Sequence, residues 1–230
     1  MVWPPVGGGG RWYYRGMYLA DKKLVEAIEK ALKEAKPRNF KESVEISINL
    51  KDVDLTLPRN RIEGEVVLPK GRGKEVKVAL FASGEMAVKA RGVADLIVPP
   101  EEIEGLAEEK AKAKRLAREY DFFVAEAPLM PAVGRRLGTV LGPRGKMPRP
   151  IPPGTDPVPT IKSLKNAVKL RSKDKPTFHA PVGTRDMKPG DLAENVETIL
   201  KRVEAKLPRG RFNIGSVYVK TTMGPAVRMM

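Results

Sequence analysis

The chain has 230 residues, with 43 Lys+Arg against 28 Asp+Glu for a formal net charge of +15, no cysteine and a single histidine, His179. That length gives room for two domains of ordinary size, and the cationic surplus points to a polyanion, nucleic acid first and an anionic membrane surface second. Disulfides, thiol catalysis and Cys-His pairs have no cysteine to build on, and one histidine disfavours zinc clusters and Ser-His pairs; no apolar run approaches the roughly 18 residues of a spanning helix, so a soluble intracellular protein is expected.

Residues 1–16 show neither helix nor strand period and predict a flexible N-terminal extension. Met17 opens the first regular pattern and is the alternative start; an RNA-binding arm built on Arg11, Trp12, Tyr13, Tyr14 and Arg15, with rings that stack on bases, is the functional alternative. From Asp21 to Lys36, Leu24, Val25, Ile28, Ala31, Leu32 and Ala35 recur at helical spacing, and Pro37 stops the helix. Val44, Ile46, Ile48 and Leu50 then alternate with Glu45, Ser47 and Asn49, the pattern of a strand with one polar face. A second strand is expected from Ile62 to Leu68. These elements are too few to bury a core and need partners from elsewhere in the chain.

After Pro69-Lys70-Gly71-Arg72-Gly73 the period changes. Val76 to Ala82, Ala94 to Val98 and Phe122 to Ala125 are short apolar runs of the kind buried on both faces of a parallel sheet. With a helix over Glu101 to Glu119 between them, they predict a small doubly wound α/β domain. Leu141 to Pro159, dense in Pro and Gly, closes it. The first style then returns: a helix over Thr160 to Lys169, a strand over Thr177 to Val182, a helix over Pro189 to Lys206 with Pro189 in its first turn, and a last strand over Gly215 to Lys220. The expected architecture is a discontinuous α+β domain, 17–70 plus 155–230, completed across an inserted α/β domain, 71–154, with two Pro/Gly joints forming a two-strand hinge. Net charges of +3 over 1–70, +4 over 71–154 and +8 over 155–230 make the split domain the more basic, and hence the docking surface for nucleic acid.

Thr221-Thr222-Met223-Gly224-Pro225-Ala226-Val227 directly follows the last strand. Gly224 tolerates angles that a Cβ resists, and Pro225 fixes φ and cannot donate to a ladder, so an exposed rigid turn is expected, flanked by Lys220 and Arg228. An ordinary hairpin turn with a frayed tail is the alternative. Gly71-Arg72-Gly73-Lys74 and Gly142-Pro143-Arg144-Gly145-Lys146 resemble phosphate loops only faintly, since Glu75 and Met147 occupy the position of the Ser or Thr. His179 has no other ligand candidate near it in sequence, and Asp121 and Glu126 read as solvated strand ends. A non-enzymatic, two-domain RNA binder without cofactor, metal or small-molecule substrate is the reading. A nucleotide-using α/β enzyme and a DNA-compacting protein are its competitors.

Phe40-Lys41-Glu42-Ser43-Val44-Glu45, Leu68 to Lys74, Leu141 to Pro148, Asp174-Lys175-Pro176 and Ser216-Val217-Tyr218-Val219 running into Thr222-Met223-Gly224-Pro225 together resemble the large-subunit ribosomal protein L-one family, most of all its archaeal form, over residues 17–230. The resemblance implies a split domain that grips large-subunit ribosomal RNA and a Rossmann-like insert. It implies RNA contacts at Phe40, Ser43, Glu45, Asp174, Lys175, Ser216, Thr222, Met223, Gly224 and Pro225. Asn39 stands where relatives often carry Lys and Ser43 where many carry Thr. It further implies a cytoplasmic, ribosomal location in the mobile stalk beside the exit site, help in releasing deacylated tRNA, and repression of translation by binding its own mRNA.

Overall fold

The computed structural model describes residues 10–230, with side chains from Lys22 onward. Of the expected extension over 1–16, residues 1–9 lie outside the described ones, while from Gly10 the backbone belongs to α1, which therefore starts before the expected Asp21 and runs through Met17; the side chains of the arm around Trp12 lie outside the described residues. Along the chain run α1 (Gly10–Glu34), β1 (Ser43–Leu50), β2 (Glu63–Val67), β3 (Val78–Phe81), α2 (Gly84–Lys89), β4 (Leu96–Val98), α3 (Pro100–Glu108), α4 (Lys110–Glu119), β5 (Phe122–Glu126) and α5 (Met130–Leu141). There follow β6 (Arg149–Ile151), α6 (Val158–Lys165), β7 (Ala167–Arg171), β8 (Thr177–Thr184), α7 (Pro189–Lys206), β9 (Ile214–Thr221) and β10 (Val227–Arg228). Two compact units result: the chain up to Gly73 together with Val168–Met230, and Lys74–Ala167.

The first unit is built around β1. Strict alternation of apolar and polar residues gives that strand one buried and one open face, and its burial alternates residue by residue. β8 pairs antiparallel along one side, with Ser47 opposite His179, and β9 along the other, with Ser47 opposite Tyr218. β10 adds to β9 through Val227 opposite Val219, giving a sheet ordered β10-β9-β1-β8. The segment after the terminal turn is therefore a short edge strand, not a frayed tail, and Met229 is buried behind it. Ile46, Ile48, Val217, Val219, Ala180 and Val182 share one core with Leu24, Ile28 and Ala31 of α1 and Leu192, Val196, Ile199 and Val203 of α7. β2 and β7 form a separate two-stranded ribbon over the same core.

Asn195, fully buried on α7, ties the outgoing chain to this unit: its Oδ1 accepts the Lys70 N–H at 3.1 Å, and its Nδ2 donates to the carbonyls of Gly71 and Val182, each at 2.9 Å.

In the second unit β3 pairs in parallel with β4 and β5, and β5 with β6. Val78, Leu80, Phe122 and Val124 face α2 and α6, while Ala79, Phe81, Phe123 and Ala125 face α3, α4 and α5. Burial on both faces is why these strands read as unbroken apolar runs. Three expectations change here. The helix over 101–119 is two helices, divided at Glu109. The Pro- and Gly-rich stretch carries β6, whose Pro150 is tolerated because β6 lies at the sheet edge. The helix after it is shorter than expected, ending at Lys165, and Ile161, Leu164 and Ala167 pack with β3 and β5, so the chain crosses back after Ala167 instead of near 154.

Candidate nucleic-acid interface

Among the described residues, helices pack on one face of the β10-β9-β1-β8 sheet; the other presents a polar grid. In register across β8, β1 and β9 stand Thr177, Asn49 and Ser216, then His179, Ser47 and Tyr218, then Pro181, Glu45 and Lys220. The first row is a hydrogen-bonded chain: Thr177 Oγ1 donates to Asn49 Oδ1 at 2.7 Å, and Asn49 Nδ2 donates to Ser216 Oγ at 2.8 Å. Glu45 faces Lys220 across the ladder, so the row nearest Ser43 is close to charge-balanced. Hydroxyls, an amide and an imidazole in rows suit a ligand rich in alternating donors and acceptors.

At the Ser43 end the terminal turn is locked onto the start of β1. The Thr222 N–H donates to the Ser43 carbonyl at 3.0 Å, while the Thr222 hydroxyl lies 3.2 Å from both the Ser43 N–H, which it accepts, and the Ser43 carbonyl. Beneath the turn lies Glu42, only 1% exposed. Its Oε1 accepts the Met223 N–H at 3.1 Å and the Thr221 hydroxyl at 3.4 Å, and its Oε2 meets Arg185 Nη1 at 3.3 Å. The same guanidinium donates to the carbonyls of Ala35 and Lys36 at 3.0 and 3.1 Å, satisfying acceptors where the chain leaves α1. One buried carboxylate thus joins the end of α1, the segment before α7 and the terminal turn. Held this way, Met223 remains 62% exposed, and Phe40, before β1, 54%.

The ten expected contact residues fall into two groups. Phe40, Ser43, Glu45, Thr222, Met223, Gly224 and Pro225 gather at the turn end of the sheet. Ser216 lies at the other end of β1, roughly 20 Å away at ~3.4 Å per residue, and Asp174 and Lys175 are exposed in the turn leading into β8 at that same end. The open face joins the groups. Glu42, Arg185, Asn49, Thr177 and Tyr218 line or support the same candidate surface and were not among the expected contacts. Alternation along β1, β8 and β9 carries the signal for the last three.

Gly224 is a glycine for a reason other than the one expected. It is not among the glycines with positive φ; instead a Cβ there would run into Thr221 Oγ1 and touch Ala35. Since that hydroxyl is buried and bonded to Glu42, it has no free direction of retreat. Gly224→Ala is expected to destabilise the protein by about 1–2 kcal/mol through overpacking, read as a lowered urea midpoint at unchanged slope.

The second unit offers less. Outside the carboxyl ends of β3 and β5, where doubly wound sheets take nucleotides, lies a crevice of about 190 Å³ lined by Ser83, Glu85, Lys89, Glu126 and Thr155. Glu126 already takes the donors a phosphate would need, accepting the Ser83 N–H at 3.2 Å and its hydroxyl at 2.9 Å. The basic residues of the second phosphate-loop-like segment are engaged internally, Arg144 with the Lys114 carbonyl at 3.0 Å and Lys146 with the Tyr120 carbonyl at 2.6 Å.

A family model described as the ribosomal protein L1p/L10e family matches residues 32–225. Among curated proteins the chain is similar to the large ribosomal subunit protein uL1 of Methanocella arvoryzae, at 54% identity over 92% of this chain and 100% of that one. It is likewise similar to the proteins of the same name from Thermoplasma volcanium, at 56% over 90% and 95%, and Archaeoglobus fulgidus, at 53% over 92% and 100%.

Proposed function

The chain belongs to the ribosomal protein L1p/L10e family, and from that premise we propose that this constituent of the large ribosomal subunit binds ribosomal RNA through the terminal turn and open sheet face of its split unit. The observation that carries the reading is the pairing of two exposed apolar side chains, Met223 and Phe40, with an uncovered grid of hydroxyl and amide groups in the more basic part of the chain. Hydroxyls and turn amides bond the ribose 2′-OH and the backbone of an RNA minor groove, while Met223 and Phe40 supply apolar contact. Ser43, Glu45, Ser216, Asp174 and Lys175 extend the contact along the face, with Gly224 and Pro225 fixing the shape of the turn. Glu45, opposite Lys220, serves as an acceptor for a 2′-OH or base amine and not as a phosphate ligand.

Two further roles are part of the proposal and rest on family resemblance: a mobile stalk beside the exit site that assists release of deacylated tRNA, and repression of translation through a similar structure in the chain's own mRNA. The protein acts in the cytoplasm as a structural component, without catalysis.

Binding of the purified protein to a transcript of the stalk segment of large-subunit ribosomal RNA, at one fixed salt concentration, tests the site. Met223→Ala is expected to weaken binding about tenfold, ~1.4 kcal/mol of lost apolar contact, with the urea midpoint unchanged because the side chain is exposed. Wild-type affinity in that variant removes the turn from the interface. Competition by a transcript of the chain's own mRNA leader tests the repressor role, and failure to compete removes it.

A further inference from the structure

Between α7 and β9 stands an exposed aromatic that neither the terminal turn nor the sheet face uses. Phe212, in the tight turn Gly210–Asn213, leaves 82% of its surface in water, more than any other large apolar side chain described. A ring so placed forgoes the gain from burial, so the fold does not explain it. Looseness does not explain it either, because the turn is pinned from within. Buried Asn213 accepts the Arg209 N–H through Oδ1 at 2.8 Å and donates through Nδ2 to the carbonyls of Lys51 and Asp52 at 3.1 and 3.2 Å. Its own carbonyl accepts the Lys51 N–H at 2.8 Å. Gly210, at φ +53°, provides the left-handed residue that starts the turn.

The surroundings are cationic. Arg209 and Arg211 precede the ring in the same turn and are exposed, and Lys51 is drawn alongside by the Asn213 bonds. None of the three side chains enters an ion pair among the described residues. The turn also borders the Ser216 end of the sheet: Leu50 lies opposite Ile214 in the ladder, and its N–H donates to the Pro176 carbonyl at 2.8 Å, next to Asp174 and Lys175.

We propose that Phe212 is a base-stacking contact, on which an unpaired nucleobase of the bound RNA lies while Arg209, Arg211 and Lys51 meet the adjoining phosphates. The proposal rests on the RNA reading above and extends it to a side chain beyond the sheet. Unpaired cations select a polyanion, and a rigidly presented flat ring selects a base, since every base offers a π face to stack. An acidic protein segment would satisfy the cations but leave the ring without a flat partner.

The test measures affinity of the full chain for the stalk transcript at one salt concentration, comparing wild type with Phe212→Ala, Phe212→Leu, Phe212→Trp and Met223→Ala. Loss of one stacked base predicts roughly 5- to 150-fold weaker binding for both the Ala and the Leu variants. Phe212→Trp is expected to bind within about twofold of wild type and to add an indole signal quenched by RNA. Wild-type affinity in Phe212→Leu overturns the stacking contact, and if Met223→Ala is weakened in the same series the sheet reading stands without it. Wild-type affinity in both Phe212→Ala and Met223→Ala overturns the underlying RNA site as well. Loss in Phe212→Trp equal to that in Phe212→Ala also counts against stacking.

Discussion

Glu42→Ala is expected to lower the unfolding free energy by about 3 kcal/mol, the lower end for breaking a buried charge pair because Arg185 keeps some contact with water. The side chain of Arg185 is 31% exposed against 1% for Glu42. The substitution strands the guanidinium, the Met223 N–H and the Thr221 hydroxyl together, so loss of stability and loss of the turn's shape are one event. Glu42→Gln preserves volume and one acceptor and should cost less. Urea denaturation of the three proteins checks the order, and a Glu42→Ala midpoint equal to wild type would falsify the clamp. Binding of the stalk transcript by the folded fraction should fall further than in Met223→Ala, since the whole turn loses its seat.

Asn195→Leu should cost a comparable amount, about 3 kcal/mol, because three backbone groups lose their partner at roughly 1–3 kcal/mol for each one left buried and unpaired, less where water reaches. The Lys70 N–H and the Gly71 and Val182 carbonyls are those groups. Hydrogen exchange at the Lys70 amide gives a local readout: it should accelerate in Asn195→Leu and stay as slow as in wild type in Met223→Ala. Equal exchange in wild type and Asn195→Leu would show that the side chain does not hold this segment.

Period carried most of the fold. The two-residue alternation of β1 and the 3.6-residue stripe of α7 place these elements within a residue of where they lie. The continuous runs of β3 and β5 also reveal burial on both faces. What period does not reach is the short and irregular: β6 contains a proline, and β10 has only two residues. β7 and β2 pair with each other from opposite sides of the inserted unit, and nothing local in either strand specifies the other. The two-helix break at Glu109 escaped for a different reason, since Glu108, Glu109 and Lys110 are all good helix formers and carry no local stop signal.

For the site, the exposed tip was legible and its support was not. Thr222 to Pro225 stand out as a turn, yet Glu42 reads as one more charge ahead of a strand. Its position is in step with Val44, Ile46 and Ile48, the residues that face the core. A carboxylate in that phase must find a cation or donors in the interior, and here it finds Arg185 from a segment far along the chain. The need can be read from sequence, but the partner's identity depends on the three-dimensional path. The glycine at 224 shows the same divide: its smallness answers a neighbouring hydroxyl and not a dihedral angle.

The central position of β1 also fixes when an interface can exist. Both of its ladder partners, β8 and β9, follow the whole of the 74–167 unit in the chain. During synthesis this strand emerges early, with its apolar side uncovered, while the intervening parallel sheet can close by pairing among its own strands. Joining ends so distant in sequence is expected to be slow, because loop-closure entropy is spent before the contacts that offset it form. A nascent chain halted before Ile214 therefore has a finished insert but lacks the strand that carries Ser216, Lys220 and the terminal turn. If the proposed interface is the one RNA uses, competence to engage it arrives with one of the last strands made.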